Sequence, residues 1–383
     1  MKMPRTFLQR KKYLKLAQCL KVIGAIFLLF VGWRLAMIAV LYIAHFKIPL
    51  NDLAAKPTQD FWDFSQNYDA GNFIDIARVG YNKVTAAFFP GFPLLIFAAA
   101  KLFHTTKLAV VSLVLANILT LGAMVQMYRY AKLTSDDETA WESMVLMIAF
   151  PFSIFLALGY SEPLFLFAAI SSFLMVKKGK FIEAGIFGAV AGATRLVGTV
   201  LIIPLLIEAI IYAVKHRSYF RPLGVFLALG GIIGVGLYYR HVLGDPLAWL
   251  HSYGPTTWNR SIGLGAFYNL KSDLIIIFHK VNMNNDTFIL PWTEVFAVSF
   301  ALFGTIVLAF QKKWSELVFV VLGMAVILSS GSLVSINRYV ISFFPLFIAT
   351  ASLTKKVKYL IAFLFLPLAG LYMAMFSKGW WVG

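Results

Sequence analysis

The sequence predicts an all-α, polytopic membrane protein of about 11 transmembrane helices, and three observations carry that prediction. First, 60% of the 383 residues are hydrophobic and only 13% are charged, whereas a soluble domain is about 45–50% apolar and about 25% charged. Second, the apolar residues gather into runs near the roughly 20 residues that cross a bilayer. Third, Lys and Arg lie in short clusters between those runs, so the net charge of +17 reads as topology signalling beside an anionic membrane. Nucleic acid is thereby set aside as a partner. The single cysteine, Cys19, excludes an intrachain disulfide and a Cys-based metal cluster.

Residues 1–21 hold seven Lys/Arg and read as a basic cytoplasmic tail. The apolar run Val22–Phe46 is too long for a signal-peptide core and reads as an uncleaved first span. Further runs lie at 108–130, 142–159, 163–176, 223–243, 290–310, 316–331, 339–353 and 358–376. The stretch 182–214 is interrupted by Arg195 and reads as two short helices meeting there near the far side. Six basic clusters set the sidedness: the N-terminus, Arg129/Lys132, Lys177–Lys180, Lys215/Arg217/Arg221, Lys312/Lys313 and Lys355/Lys356/Lys358. They hold more than half of the 34 Lys and Arg, and all can be placed inside only if 86–103 does not cross. That segment, with Pro90 and Pro93 in FFPGFP, therefore reads as a Pro-kinked re-entrant or interfacial helix. The chain is then one membrane domain, with a first outer loop over 45–107 and a second over 244–288. Compactness and short loops favour a bacterial or archaeal cytoplasmic membrane over the endoplasmic reticulum.

The first outer loop runs Asp60-Phe61-Trp62-Asp63-Phe64, then Tyr68-Asp69-Ala70-Gly71-Asn72-Phe73 through Gly80-Tyr81. Apolar residues from Phe73 to Ala77 fall at helical spacing, which predicts a short amphipathic helix on the membrane surface. Asp69, one turn before Phe73, is either that helix's N-cap or a carboxylate held for chemistry beside a helix N-terminus. Asp63 and Asp75 read as solvated charges.

Tyr68-Asp69-x-x-x-Phe73-x-x-Ile76-Ala77-x-x-Gly80-Tyr81, followed by Ala87-Phe88-Phe89-Pro90-Gly91-Phe92-Pro93, resembles the signature of the GPI mannosyltransferase II (PIG-V-like) family of GT-C membrane glycosyltransferases. Three later segments fit in register: Tyr160-Ser161-Glu162-Pro163, Gly244-Asp245-Pro246-Leu247-Ala248 and Asn337-Arg338-Tyr339. The resemblance implies a GT-C-like helical bundle and transfer of mannose from a polyprenyl- or dolichyl-phosphate carrier. The acceptor would be a glycolipid or glycan, and Asp69 the catalytic base. The chain departs from the pattern in having Tyr68 where Trp is frequent. It also has Asn82-Lys83-Val84-Thr85 where a Glu follows Gly-Tyr, which argues against a two-carboxylate scheme in this loop.

Elementary chemistry asks for the same residue types. A base must take the acceptor hydroxyl proton, and cations must hold the leaving phosphate; in-line displacement inverts the anomeric centre. Arginine suits phosphate through bidentate contact and permanent charge, so Arg338, Arg195 and Arg260 are the donor-phosphate candidates. Arg195 alternatively forms a structural pair with Glu162 or Glu183, Arg260 a solvated partner of an interfacial aromatic belt, and Arg34 a structural element of the first span. Tyr68, Tyr81, Glu162, His251 and Trp258 are candidate substrate contacts. The six histidines show no metal-ligand spacing, so neither a metal site nor a cofactor is expected. Gly230-Gly231-x-x-Gly234-x-Gly236 sits inside a span and reads as close helix packing. A lipid flippase or transporter, with intramembrane Arg34 and Arg195, and a non-catalytic assembly subunit remain the alternatives to an enzyme.

Overall fold

A computed structural model describes residues 5–48, 63–254, 257–258, 260, 263–279 and 289–383. Asp60, Phe61 and Trp62 lie outside these. The helices are α1 (Arg5–Lys47), α2 (Asp69–Val79), α3 (Gly91–Leu102), α4 (Leu108–Thr134), α5 (Asp137–Ala149), α6 (Glu162–Lys177), α7 (Phe181–Thr194) and α8 (Ile202–His216). They continue with α9 (Gly230–Leu243), α10 (Ala248–His251), α11 (Gly265–His279), α12 (Ile289–Phe310), α13 (Trp314–Leu328), α14 (Ile336–Val340), α15 (Phe344–Ala351) and α16 (Lys355–Ser377). Short 3-10 turns extend α8 and α9 backward from Leu196 and Arg221. No β-strand occurs among the described residues.

Six helical segments are long and apolar enough to cross a membrane: Ala17–Lys47, Leu108–Thr134, Leu196–His216, Arg221–Leu243, Leu290–Phe310 and Lys355–Ser377. The protein is an integral membrane protein. Several apolar stretches depart from the simple spans expected. The stretch 142–159 is helical only to Ala149; beyond it a buried irregular segment with one 3-10 turn, Ser153–Leu156, leads to α6. The stretch 339–353 is broken between α14 and α15, where Phe344 and Pro345 open a new helix. Proline lacks the N–H that a helix interior needs, so Pro345 is accommodated in a first turn. The same rule changes the expected Pro-kinked helix: Pro90 is the N-cap of α3 and Pro93 lies in its first turn, so the prolines start the helix and do not kink it. At 12 residues α3 is about 18 Å long, short of a crossing. The segment 244–288, read from the sequence as a second outer loop, carries α10 and α11 among its described residues.

One end of the bundle gathers the basic clusters. Lys313 Nζ donates to Ser135 Oγ at 3.0 Å, Lys132 Nζ lies 2.6 Å from Asp137 Oδ1, and Lys358 pairs with Glu142 and, at 3.4 Å, with Glu138. Lys177 Nζ stands 2.5 Å from Glu208 Oε1. Four clusters far apart in sequence thus meet. From Lys177, α6 runs 16 residues to Glu162, about 24 Å away, so charged side chains occupy two separate levels.

The glycine-rich stretch in α9 proves selective. A Cβ at Gly231 would collide with the Ala189 carbonyl oxygen of α7, whereas Gly230 and Gly234 have nothing within 4 Å. Gly231→Val should therefore cost about 3 kcal/mol, the upper range for overpacking against unyielding backbone. Gly234→Ala should leave the melting temperature of the purified protein unchanged; equal melting of the two variants would refute the contact.

Candidate active site

At the other level the chain brings together four ionic side chains from four elements. Asp69 is the first residue of α2, so its carboxylate does not cap the helix from the preceding position. Its Oδ2 lies 2.5 Å from Arg338 Nη1. Arg338 Nε stands 2.9 Å from Glu162 Oε1, and the same Glu162 oxygen pairs with Arg195 Nη1. Arg195 Nη1 also donates to Ser161 Oγ at 3.3 Å. Glu162 is 0% exposed, Arg338 6% and Arg195 7%. The contacts between Arg338 and its two carboxylates are close but not aligned as hydrogen bonds, so they are ionic contacts with lone pairs left over.

Local sequence explains each placement. Tyr68 has φ +57° and ψ −129°, a region costly for a residue with a Cβ; it turns the chain sharply into α2 and aims Asp69 inward. Ser335, at φ +72°, opens α14 in the same way, three residues before Arg338. Arg195 is extended, with φ −151° and ψ +147°, and joins α7 to the turn beginning at Leu196, as expected for two short helices meeting there. A Cβ at Gly91 would lie 2.7 Å from Thr194 Oγ1 and 2.9 Å from the Ala193 carbonyl, so glycine lets α3 press against the helix end that carries Arg195. The apolar face of α2 (Ala70, Phe73, Ile74, Ile76 and Ala77) is buried against α3 and α4, leaving Asp75 to pair with Arg78 in the open at 3.5 Å.

These groups border a cavity of about 480 Å³. Tyr68, Asp69, Arg195, Trp258, Arg260 and Arg338 line it, and Glu162 stands behind the two arginines it bridges. Arg338 is further covered by aromatic rings, with its guanidinium carbon 5.4 Å from the Tyr160 ring centre; that of Arg195 lies 4.5 Å from the Tyr339 ring centre. Trp258 donates from its indole N–H to the Val84 carbonyl at 2.9 Å and meets Phe88 edge-on at 5.7 Å. Arg260 has no carboxylate within 4.0 Å among the described residues. Counting Glu162, the site carries three arginines against two carboxylates, a formal charge of +1 suited to a phosphodiester.

Two expected substrate contacts lie elsewhere. The Tyr81 hydroxyl donates to the Phe88 carbonyl at 2.8 Å, and its ring packs on Tyr238 and Tyr239; it braces the Phe88 loop and does not line the cavity. His251 is exposed, its Nδ1 2.6 Å from Asp245 Oδ2. Asp245 Oδ1 accepts from the Leu247 N–H at 2.9 Å, so the Gly-Asp-Pro segment is a turn that keeps His251 for itself. Asn82, which opens the stretch after Gly80-Tyr81, accepts through Oδ1 from the Val84 and Thr85 N–H groups, each at 2.9 Å. It therefore stabilises a turn. Arg34 contacts Met37 Sδ at 3.3 Å and lies away from the cavity; Glu183 pairs with Lys180 at 3.3 Å. Sequence reasoning missed Tyr253, Ser161 and Trp381 as lining residues. Burial raises the Tyr253 phenol above its ordinary range, so it meets the cavity as a protonated donor. Among the described residues no group of three His, Cys, Asp or Glu could hold a metal.

Residues 11–235 match the family described as mannosyltransferase (PIG-V), and the chain belongs to that family. The GPI alpha-1,6-mannosyltransferase 2 proteins of Cricetulus griseus and Mus musculus are each 32% identical to it over 143 residues. The alignment covers 35% of this chain and 29% of theirs, so the chain spans less than a third of the length of these relatives. A structure of the Archaeoglobus fulgidus oligosaccharyltransferase tethered with an acceptor peptide aligns with 91% of this chain and 55% of that chain, at 12% identity and a TM-score of 0.42.

Proposed function

We propose that this protein is an inverting membrane glycosyltransferase that moves a sugar, mannose by its family, from a polyprenyl- or dolichyl-phosphate carrier to a hydroxyl of a glycolipid or glycan. The observation that carries the reading is the Asp69–Arg338 pair at 2.5 Å on the wall of a cavity lined by two further arginines. A carboxylate beside an anion-binding guanidinium is what simultaneous deprotonation of an acceptor and departure of a phosphate require.

The roles follow from charge. A donor phosphodiester brings −1 into a site of +1, giving a neutral complex. Arg338 turns toward the phosphate, and Asp69 Oδ2 is released to receive the acceptor hydroxyl proton. The acceptor oxygen attacks the anomeric carbon as the bond from that carbon to the phosphate oxygen breaks. Asp69 becomes neutral while the leaving phosphate monoester gains the same negative charge, so the site stays neutral throughout. Glu162 holds Arg195 and Arg338 at fixed separation and touches no reacting atom. In this reading 11 crossings put the N-terminus and basic clusters in the cytoplasm. The cavity then faces the extracytoplasmic side of a bacterial or archaeal membrane, where a lipid carrier and not a nucleotide sugar supplies the donor.

Stereochemistry gives a direct test. Purified protein in lipid nanodiscs, supplied with a short-chain prenyl phosphate carrying β-linked mannose and an alkyl mannoside acceptor, should yield an α-mannoside, read by the one-bond C–H coupling of the product. A β-linked product, or no transfer from any prenyl-phosphate sugar, would sink the proposal.

A further inference from the structure

Helix α16 ends in a chain reversal that returns residues 379–383 to the cavity. The Gly379 N–H donates to the Phe376 carbonyl at 3.1 Å and the Trp380 N–H to the Met375 carbonyl at 3.1 Å. Those two bonds form a Schellman motif, and Gly379, at φ +82°, supplies the left-handed turn that a residue with a Cβ resists. Three side chains then hold the returning strap. Tyr68 Oη donates to the Gly379 carbonyl at 2.6 Å, Asn337 Nδ2 to the Val382 carbonyl at 2.6 Å, and Lys378 Nζ to the His45 carbonyl at 2.9 Å. Val382 is completely buried. Two of the anchors adjoin the ionic pair in sequence: Tyr68 precedes Asp69, and Asn337 precedes Arg338. The strap therefore bears on the two backbone segments that aim those groups.

Its consequence is Trp381. That indole lines the cavity edge-on to the Tyr68 ring, with centres 4.6 Å apart and planes at 62°; Phe376 supports Tyr68 from behind at 5.6 Å. Two ring walls at a steep angle offer an apolar corner with free edges. A pyranose presents a patch of C–H groups on one face and hydroxyls around its rim, so the corner covers the former while polar neighbours take the latter. A second aromatic pair on the wall is Trp258 with Phe88; Trp258 lies two residues before Arg260 and so belongs beside phosphate. Tyr68 adjoins the base.

Resting on the transferase reading above, we infer that Trp381 and Tyr68 form the acceptor-sugar subsite, with the 379–383 strap as its closing wall. The subsite orients the acceptor hydroxyl toward Asp69 and has no part in holding the donor.

The test uses octyl α-mannoside as the acceptor probe and the full-length protein in nanodiscs. Trp381→Leu keeps apolar volume but no ring face, and Trp381→Phe keeps a ring. Direct binding of octyl mannoside by titration calorimetry, together with KM for acceptor and donor, should show about tenfold weaker acceptor binding for Leu, about threefold or less for Phe, and an unchanged donor KM. Tyr68→Phe, which removes the hydroxyl donated to the Gly379 carbonyl but keeps the ring, should fall between them. Equal acceptor binding in Trp381→Leu and wild type, with transfer intact, overturns the subsite and leaves the transferase reading standing. Weakened binding in a protein that transfers no sugar from a prenyl phosphate keeps the subsite and overturns that reading. A wild type that neither binds the glycoside nor transfers sugar overturns both.

Discussion

Asp69→Asn should lower transfer by about 10³-fold, within the 10²–10⁴ that a positioned general base supplies, while donor binding stays the same or tightens. The two halves of that expectation come from different properties of the side chain. Asparagine keeps the shape and the place at the start of α2, so the cavity should survive. It cannot take a proton from an acceptor hydroxyl, so turnover should not. Asparagine also removes one of the two negative charges against three arginines, and the group 2.5 Å from Arg338 Nη1 becomes a neutral amide. The guanidinium then has no charged competitor on that side for a donor phosphate, and the formal site charge rises from +1 to +2. Donor affinity, measured by retention of a radiolabelled prenyl-phosphate sugar in nanodiscs, should therefore hold or improve. Transfer at the wild-type rate would remove Asp69 as the base. Loss of donor binding in parallel with turnover would instead make Asp69 a structural partner of Arg338, which a bystander ion pair would also produce.

The sequence carried the ionic core of this site well because its members announce themselves individually. A charged residue in an apolar stretch is expensive, so Arg195 and Arg338 stand out without any knowledge of neighbours. Asp69 is marked by its place before a helical pattern, and Glu162 by the polar turn it shares with Ser161. The Arg195–Glu162 pair was among the alternatives the sequence offered; what stayed hidden was that Arg338 shares that carboxylate and also meets Asp69. Nothing local to residue 162 says that one carboxylate oxygen meets two arginines from elements 33 and 176 positions further along. Trp381 was illegible for a related reason: its position depends on a glycine turn after α16 and on anchors more than 300 residues earlier, such as the 311-residue separation of Tyr68 and Gly379. Tyr81 and His251 lie off the cavity wall for the opposite reason. Each sits in a family-like segment and has chemistry to offer, but a partner within seven residues, the Phe88 carbonyl and Asp245 respectively, has already engaged it. Helix counting suffered where the backbone abandons helical geometry while remaining buried, as it does after Ala149; apolar content shows burial and says little about where the hydrogen bonds break.

Arg338→Lys should reduce kcat by about 10²-fold with a smaller change in donor KM, and it separates catalysis from folding better than Arg338→Ala does. Alanine would leave Asp69 and Glu162 facing each other without their shared cation, and an uncompensated buried charge costs about 3–5 kcal/mol. A dead Ala variant could thus be merely an unfolded one. Lysine keeps the charge, so both carboxylates stay neutralised and the melting temperature should drop little. It cannot reproduce two contacts made by different atoms of one rigid plane, Nη1 to Asp69 at 2.5 Å and Nε to Glu162 at 2.9 Å, while still offering a planar fork to phosphate. The loss should appear in kcat because the phosphate gains a full negative charge only as the glycosidic bond breaks, and an interaction that strengthens along that coordinate acts on the transition state. A rise in donor KM alone would mean that Arg338 holds ground state and transition state equally. It would then be a docking residue, and stabilisation of the leaving phosphate would pass to Arg195 and Arg260, the other arginines on the cavity wall.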